Sequence, residues 1–173
     1  MIIGRKYWFK KVKSQAIERL SFRGWEEVRT IAVVVLQEDQ ELSAVLDKVA
    51  DAWHHDNKQV QVLRVSRMKM TKSKASLREH NTIYWNETNW KGIPNSSEFN
   101  EFVNRQYDVV LHLCKQNDGL LEFLPYLFKT GILVGPSNVD MDAFDLQIQL
   151  ENRTWKEVFQ EIENWLKKIK NVA

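Results

Sequence analysis

Residues 30–36 read Thr-Ile-Ala-Val-Val-Val-Leu, an apolar, largely β-branched run that no charged residue interrupts. A strand with one wet face alternates apolar and polar side chains. An unbroken run of this length instead marks a strand covered on both faces, as in a parallel sheet with helices on each side. Residues 107–113 (YDVVLHL) repeat the signal, and residues 131–135 (GILVG) give a shorter version of it. Weaker strand signals lie at 60–66 and 82–85, and residues 143–150 alternate like an edge strand.

The segments between the strands carry helical spacing. Asp39 can cap a helix bearing Leu42, Val45, Leu46, Val49 and Trp53 on one stripe. Asn95 with Glu98 has the spacing of a capping box ahead of Phe99, Phe102 and Val103. Residues 119–129 predict an apolar helix that Pro125 would kink. Thr154 and Glu157 form a second capping box, after which Trp155, Val158, Phe159, Ile162, Leu166 and Ile169 trace one face. Residues 4–23 predict a basic helix with Phe9, Val12, Ala16 and Leu20 on its apolar stripe, and Gly24 as its stop.

This alternation predicts an α/β fold: a single open, mostly parallel, Rossmann-like sheet flanked by helices, with a basic N-terminal helix. The division expected is 1–28 for that helix and 29–173 for the α/β domain, a length within reach of one hydrophobic core. No stretch approaches the ~20 apolar residues of a membrane span. Lys6, Lys10, Lys11 and Lys13 interrupt any signal-peptide core. A single cysteine, Cys114, forbids an intrachain disulfide. The expected location is the cytoplasm.

Charge is the main pointer to a partner. The formal net charge is only +2, yet residues 1–29 and 58–80 together hold fifteen of the 25 basic side chains. Such clustering suits a polyanionic partner, with RNA or a ribonucleoprotein first and an acidic protein second. Arg5, Lys6, Lys10, Lys11 and Lys13 with Arg67, Lys69, Lys72 and Lys74 would supply phosphate contacts, and Trp85 or Trp90 could stack on a base. Peripheral membrane contact through Ile2, Ile3, Trp8 and Phe9 is a further use of the same helix. Trp53, Trp155 and Trp165 fall in helices and are expected in the core.

In an open parallel sheet, ligands bind beyond the carboxyl ends of the strands. The loops expected there are 37–41, 114–119 and 135–138. The first has no glycine and three carboxylates (Glu38, Asp39, Glu41), which disfavours a nucleotide phosphate at that helix. The other two offer Cys114, Lys115, Asp118 and Ser137 as a cleft for an enzyme reading. His112 is taken to face away from Cys114, which leaves the thiol without a base. His54 and His55 are neighbours on one helix and cannot face the same way, and His80 and His112 are isolated, so no metal site is expected; no cofactor is expected either.

Two resemblances rest on these segments. Residues 105–113 (RQYDVVLHL), the apolar helix at 119–129 and the strand GILVG are similar to the amino-terminal domain of heptosyltransferase-like glycosyltransferases. That resemblance implies, as an alternative function, a degenerate glycosyltransferase-like enzyme domain acting on a small phosphorylated or sugar substrate. The whole chain resembles a family of small uncharacterised bacterial proteins. These pair a basic N-terminal helix with aliphatic strand, helix, YD-strand, helix, VG-turn, an alternating strand and a final helix. That second resemblance implies no activity.

Overall fold

A computed structural model describes residues 7, 10–12, 19–72, 81–89, 91–139 and 142–170. Its sheet contains β1 (Thr30–Leu36), β2 (Gln59–Ser66), β3 (Thr82–Tyr84), β4 (Gln106–His112), β5 (Lys129–Pro136) and β6 (Leu146–Ile148). All neighbours pair in parallel, in the order β3-β2-β1-β4-β5-β6. The strand order therefore reverses between β1 and β4. The helices are α1 (Gln40–His55), α2 (Ser97–Asn104), the single turn α3 (Leu120–Phe123) and α4 (Trp155–Lys168).

Both faces of the sheet are covered, as the unbroken β1 run requires. Ile31, Val33 and Val35 join Val109, Leu111, Ile132 and Val134 on one face, against Leu42, Leu46 and Trp53 of α1 and Val158, Phe159, Ile162 and Leu166 of α4. Ala32 and Val34 join Leu63, Val65, Val110 and Leu133 on the other, against Phe99, Phe102 and Val103 of α2 and Leu121 of α3. Each fully buried aliphatic side chain contributes roughly 1.5–3 kcal/mol, so the two layers together dominate the stability.

A strand apolar on both faces has no polar set to expose on slipping by one residue, so its pattern alone does not fix register. Asp108 at the start of β4 supplies a fixed point. Its Oδ2 accepts from Arg29 N (2.7 Å), Thr30 N (2.9 Å) and Thr30 Oγ1 (3.1 Å), while Asp108 N donates to Thr30 Oγ1 (3.0 Å). Asp108→Ala is expected to lower stability by about 1.5–3 kcal/mol, the range for hydrogen bonds to a charged group. A shift of the urea midpoint at unchanged slope would show it.

Tyr107 is anchored in the same region: its hydroxyl donates to Phe102 O at 2.9 Å, and burial pushes the phenol up to about 12. At Gly135 in β5 a Cβ would fall 2.2 Å from the Phe144 ring, so only glycine lets that ring cross the strand. The same ring packs on His112, with centroids 5.7 Å apart.

Several expectations change in detail. The basic helix does not reach residue 23. Residues 10–12 are helical, but Arg19 pairs with Thr130 of β5 as an extra parallel bridge, and Leu20 N donates to Thr130 O at 2.9 Å. Backbone pairing along β5 wins there over the helical stripe, and Gly24 precedes a 3-10 turn, Trp25–Glu27. Ser96, not Asn95, caps α2 by accepting from Phe99 N. Pro125 ends α3 early, and Leu124–Leu127 continues as a 3-10 turn because the proline removes a donor. The edge strand is confined to Leu146–Ile148, since Asp145 turns to accept from Leu133 N. Trp165 lies outside the core at 44% exposure, off the buried stripe of α4, with Lys168 Nζ 5.2 Å from its ring.

Candidate functional site

At the reversal between β1 and β4, the positions where a bound phosphate would look for donors are already served by the chain itself. Asp39 Oδ1 accepts from Leu42 N at 2.9 Å and so caps α1. Glu38 Oε1 accepts from Ser66 Oγ (2.6 Å) and Arg67 N (2.9 Å) at the end of β2. Two carboxylates thus occupy donors that an anion would need, and they add negative charge beside them.

Beyond β4 the groups are buried and mutually bonded. Cys114 is fully buried with Sγ 3.7 Å from Val34 O, and burial pushes its thiol up, which keeps it protonated and unreactive. Asn117 Nδ2 donates to Cys114 O at 2.7 Å, so its Oδ1 accepts from His112 Nε2–H at 2.5 Å. Burial pushes the imidazole down to about 4, and its Nδ1 is buried with no hydrogen-bond partner among the described residues. His112 does not face away from Cys114. Residues two apart on a strand share a face, and both lie on the side that holds Val110 and Phe144.

The open space lies one step along the same edge. A groove of about 940 Å³ runs between the carboxyl ends of β2 and β3 and the start of α3. Ser66, Arg67, Tyr84, Trp85, Asn86, Asp118 and Gly119 line it, with Val65, Ile83, Leu120 and Leu121 as its apolar part. The Arg67 guanidinium pairs with the Asp118 carboxylate across it. Asn86 clasps the backbone of the connection after β2: Met70 N donates to its Oδ1 at 2.8 Å, and its Nδ2 donates to Met70 O at 3.0 Å. Trp85 is 56% exposed at this groove, and Met68, on the connection just past β2, is 52% exposed.

Of the residues singled out from sequence, Arg67, Trp85 and Asp118 line the groove. Lys69 and Lys72 are exposed on the connection that Asn86 holds. Lys10 and Lys11 are exposed beside Val12, which is buried in the cluster on the α2 face. Cys114, Lys115 and Ser137 lie away from the groove. Lys115 Nζ sits 5.0 Å from the Trp155 ring, and Ser137 N donates to Ile148 O in the turn after β5. Arg5, Lys6, Lys13, Lys74 and Trp90 lie outside the described residues. Sequence reasoning missed Ser66, Tyr84 and Asn86 as lining residues, whereas Gly119 belongs to the loop 114–119 that was expected at this end of the sheet. The available signal was polar side chains at or just past the ends of two consecutive strands.

A family model described as "Family of unknown function (DUF6913)" matches residues 2–169. The chain belongs to this family. No curated protein and no solved structure matches it. Membership in the family brings no assigned activity, so function has to be argued from the groove and its surroundings. Among the described residues no helix is long and apolar enough to cross a membrane.

Proposed function

We propose that this chain is a cytoplasmic, non-catalytic binding module for a polyanionic partner, with RNA or a ribonucleoprotein surface placed first and an acidic protein second. The observation that carries the reading is one assembly: Lys69 and Lys72 exposed on a clasped connection, beside a groove with an exposed tryptophan. Lys10 and Lys11 extend the basic surface from the N-terminal segment. Asp118 in the groove is paired with Arg67, and Cys114, the thiol nearest in sequence, is buried away from the groove, which supports binding over catalysis. A second reading, a small phosphorylated or sugar ligand in the same groove, is favoured by its volume, which falls within the range of small-molecule sites.

Preparation of the protein from its own cells at low salt, with and without nuclease, tests the first reading. Nucleic acid should co-purify, elute steeply with added salt and vanish on nuclease treatment. Replacing Lys10, Lys11 and Lys13 together with alanine should reduce the slope of log affinity against log salt by about 2 if all three contact phosphates. A nucleic-acid-free preparation unchanged by nuclease would sink this reading and direct attention to protein partners.

A further inference from the structure

We infer that the groove takes one unpaired nucleobase stacked on Trp85, so that the RNA recognised is single-stranded. The inference rests on the polyanion reading above and adds what part of the polymer enters the groove. Trp85 begins a short 3-10 turn braced by Glu87 Oε2, which accepts from Tyr84 N at 3.1 Å, so an exposed apolar ring is held on a formed element. Every base has a π-face, so such a ring stacks on any of them.

The polar groups of the groove select base over phosphate. A lone guanidinium would attract a phosphate, but Arg67 is paired with Asp118, whose carboxylate is 76% exposed and would repel one. Side by side, the pair offers N–H donors and carboxylate acceptors, which is what the hydrogen-bonding edge of a base requires. The uncompensated cations lie outside: Lys69 and Lys72 are exposed and form no ion pair among the described residues. The arrangement sorts a nucleotide, with its base inward and its backbone along the rim. A duplex keeps its bases stacked and paired, out of reach of such a groove.

The wall is also set in advance. Glu38 fixes Ser66 and the Arg67 backbone, and Asn86 fixes Met70, so little ordering remains to be done on binding.

Fluorescence anisotropy on the full chain tests this with a labelled, mixed-sequence RNA of about 12 nucleotides, alone and annealed to its complement. The single strand should bind at least about 10-fold more tightly than the duplex. Trp85→Ala should weaken single-strand binding by about 5- to 150-fold, while Trp85→Phe keeps most of the affinity. Single-strand binding should also quench emission in the wild type that is missing from Trp85→Phe, a readout independent of how the alanine variant folds. Equal affinity for both RNAs, or a Trp85→Ala protein that binds like wild type, would overturn the base site. If affinity then still falls on replacing Lys10, Lys11 and Lys13, the polyanion reading survives alone. If neither RNA binds the wild type, the base site and the RNA form of the polyanion reading both fail.

Discussion

Acidification from neutral pH to pH 4 should destabilise the fold by about 3 kcal/mol through one side chain, His112. The imidazole is fully buried on the α2 face, and its folded-state value is lowered from 6.5 to about 4. Burial is the larger cause; the hydrogen bond to Asn117 opposes it. The sign follows from proton counting. Well above pH 6.5 the ring is neutral in both states and nothing is lost. Between 6.5 and about 4 the unfolded chain binds a proton that the folded chain refuses, so stability falls steadily as the pH drops through that window.

Carboxylates titrate over part of the same range, so the test is a difference. Urea midpoints of wild type and His112→Gln are compared at several pH values; glutamine keeps a donor for Asn117 but does not titrate. The wild type should lose stability relative to the variant only below pH 6.5. A pH-independent difference would show that His112 protonates in the folded state as easily as in the unfolded one.

Trp53→Ala should remove about 3–5 kcal/mol, the usual cost of deleting a buried aromatic ring. Trp53 is 2% exposed near the end of α1 and joins three elements. Its ring meets Trp25 edge-on at 5.6 Å and Phe159 of α4 at 5.9 Å. These contacts hold the ring between the N-terminal 3-10 turn and α4, so its deletion leaves a cavity where three elements meet. The loss should lower Tm by roughly 10 °C or more, with a smaller drop for Trp53→Phe. A change under about 1 kcal/mol for the alanine variant would mean that the cluster repacks, contrary to the close packing expected of an interior.

Where one constraint was decisive, the sequence was readable. Residues 30–36 were expected as a doubly covered strand, and β1 has those bounds, with Ile31 to Val35 buried in succession on the two faces of the sheet. The start of α4 was equally legible: Thr154 Oγ1 accepts from Glu157 N while Glu157 Oε2 accepts from Thr154 N, a local reciprocal arrangement. Asp39 capped α1 as expected, for the same reason of short range. The 4–23 helix was overextended because its stripe continued through Leu20, where pairing with β5, more than a hundred residues away, decides the conformation.

The candidate site was legible only in pieces. Arg67 and Trp85 were expected on a polyanion surface and Asp118 in a separate cleft, yet the three line one groove. Arg67 and Asp118 are 51 positions apart, and their pairing depends on β2 and β4 flanking β1, so that the loops leaving both strands emerge at the same end of the sheet. Periodicity and capping chemistry report which side chains share a face of one element, because those effects act within a few residues. They determined by themselves that this chain forms a parallel α/β sheet covered on both sides. Which loops meet at the sheet edge follows from strand order, and strand order is settled by how whole elements bury one another; only the tertiary structure decided where the groove opens and what lines it.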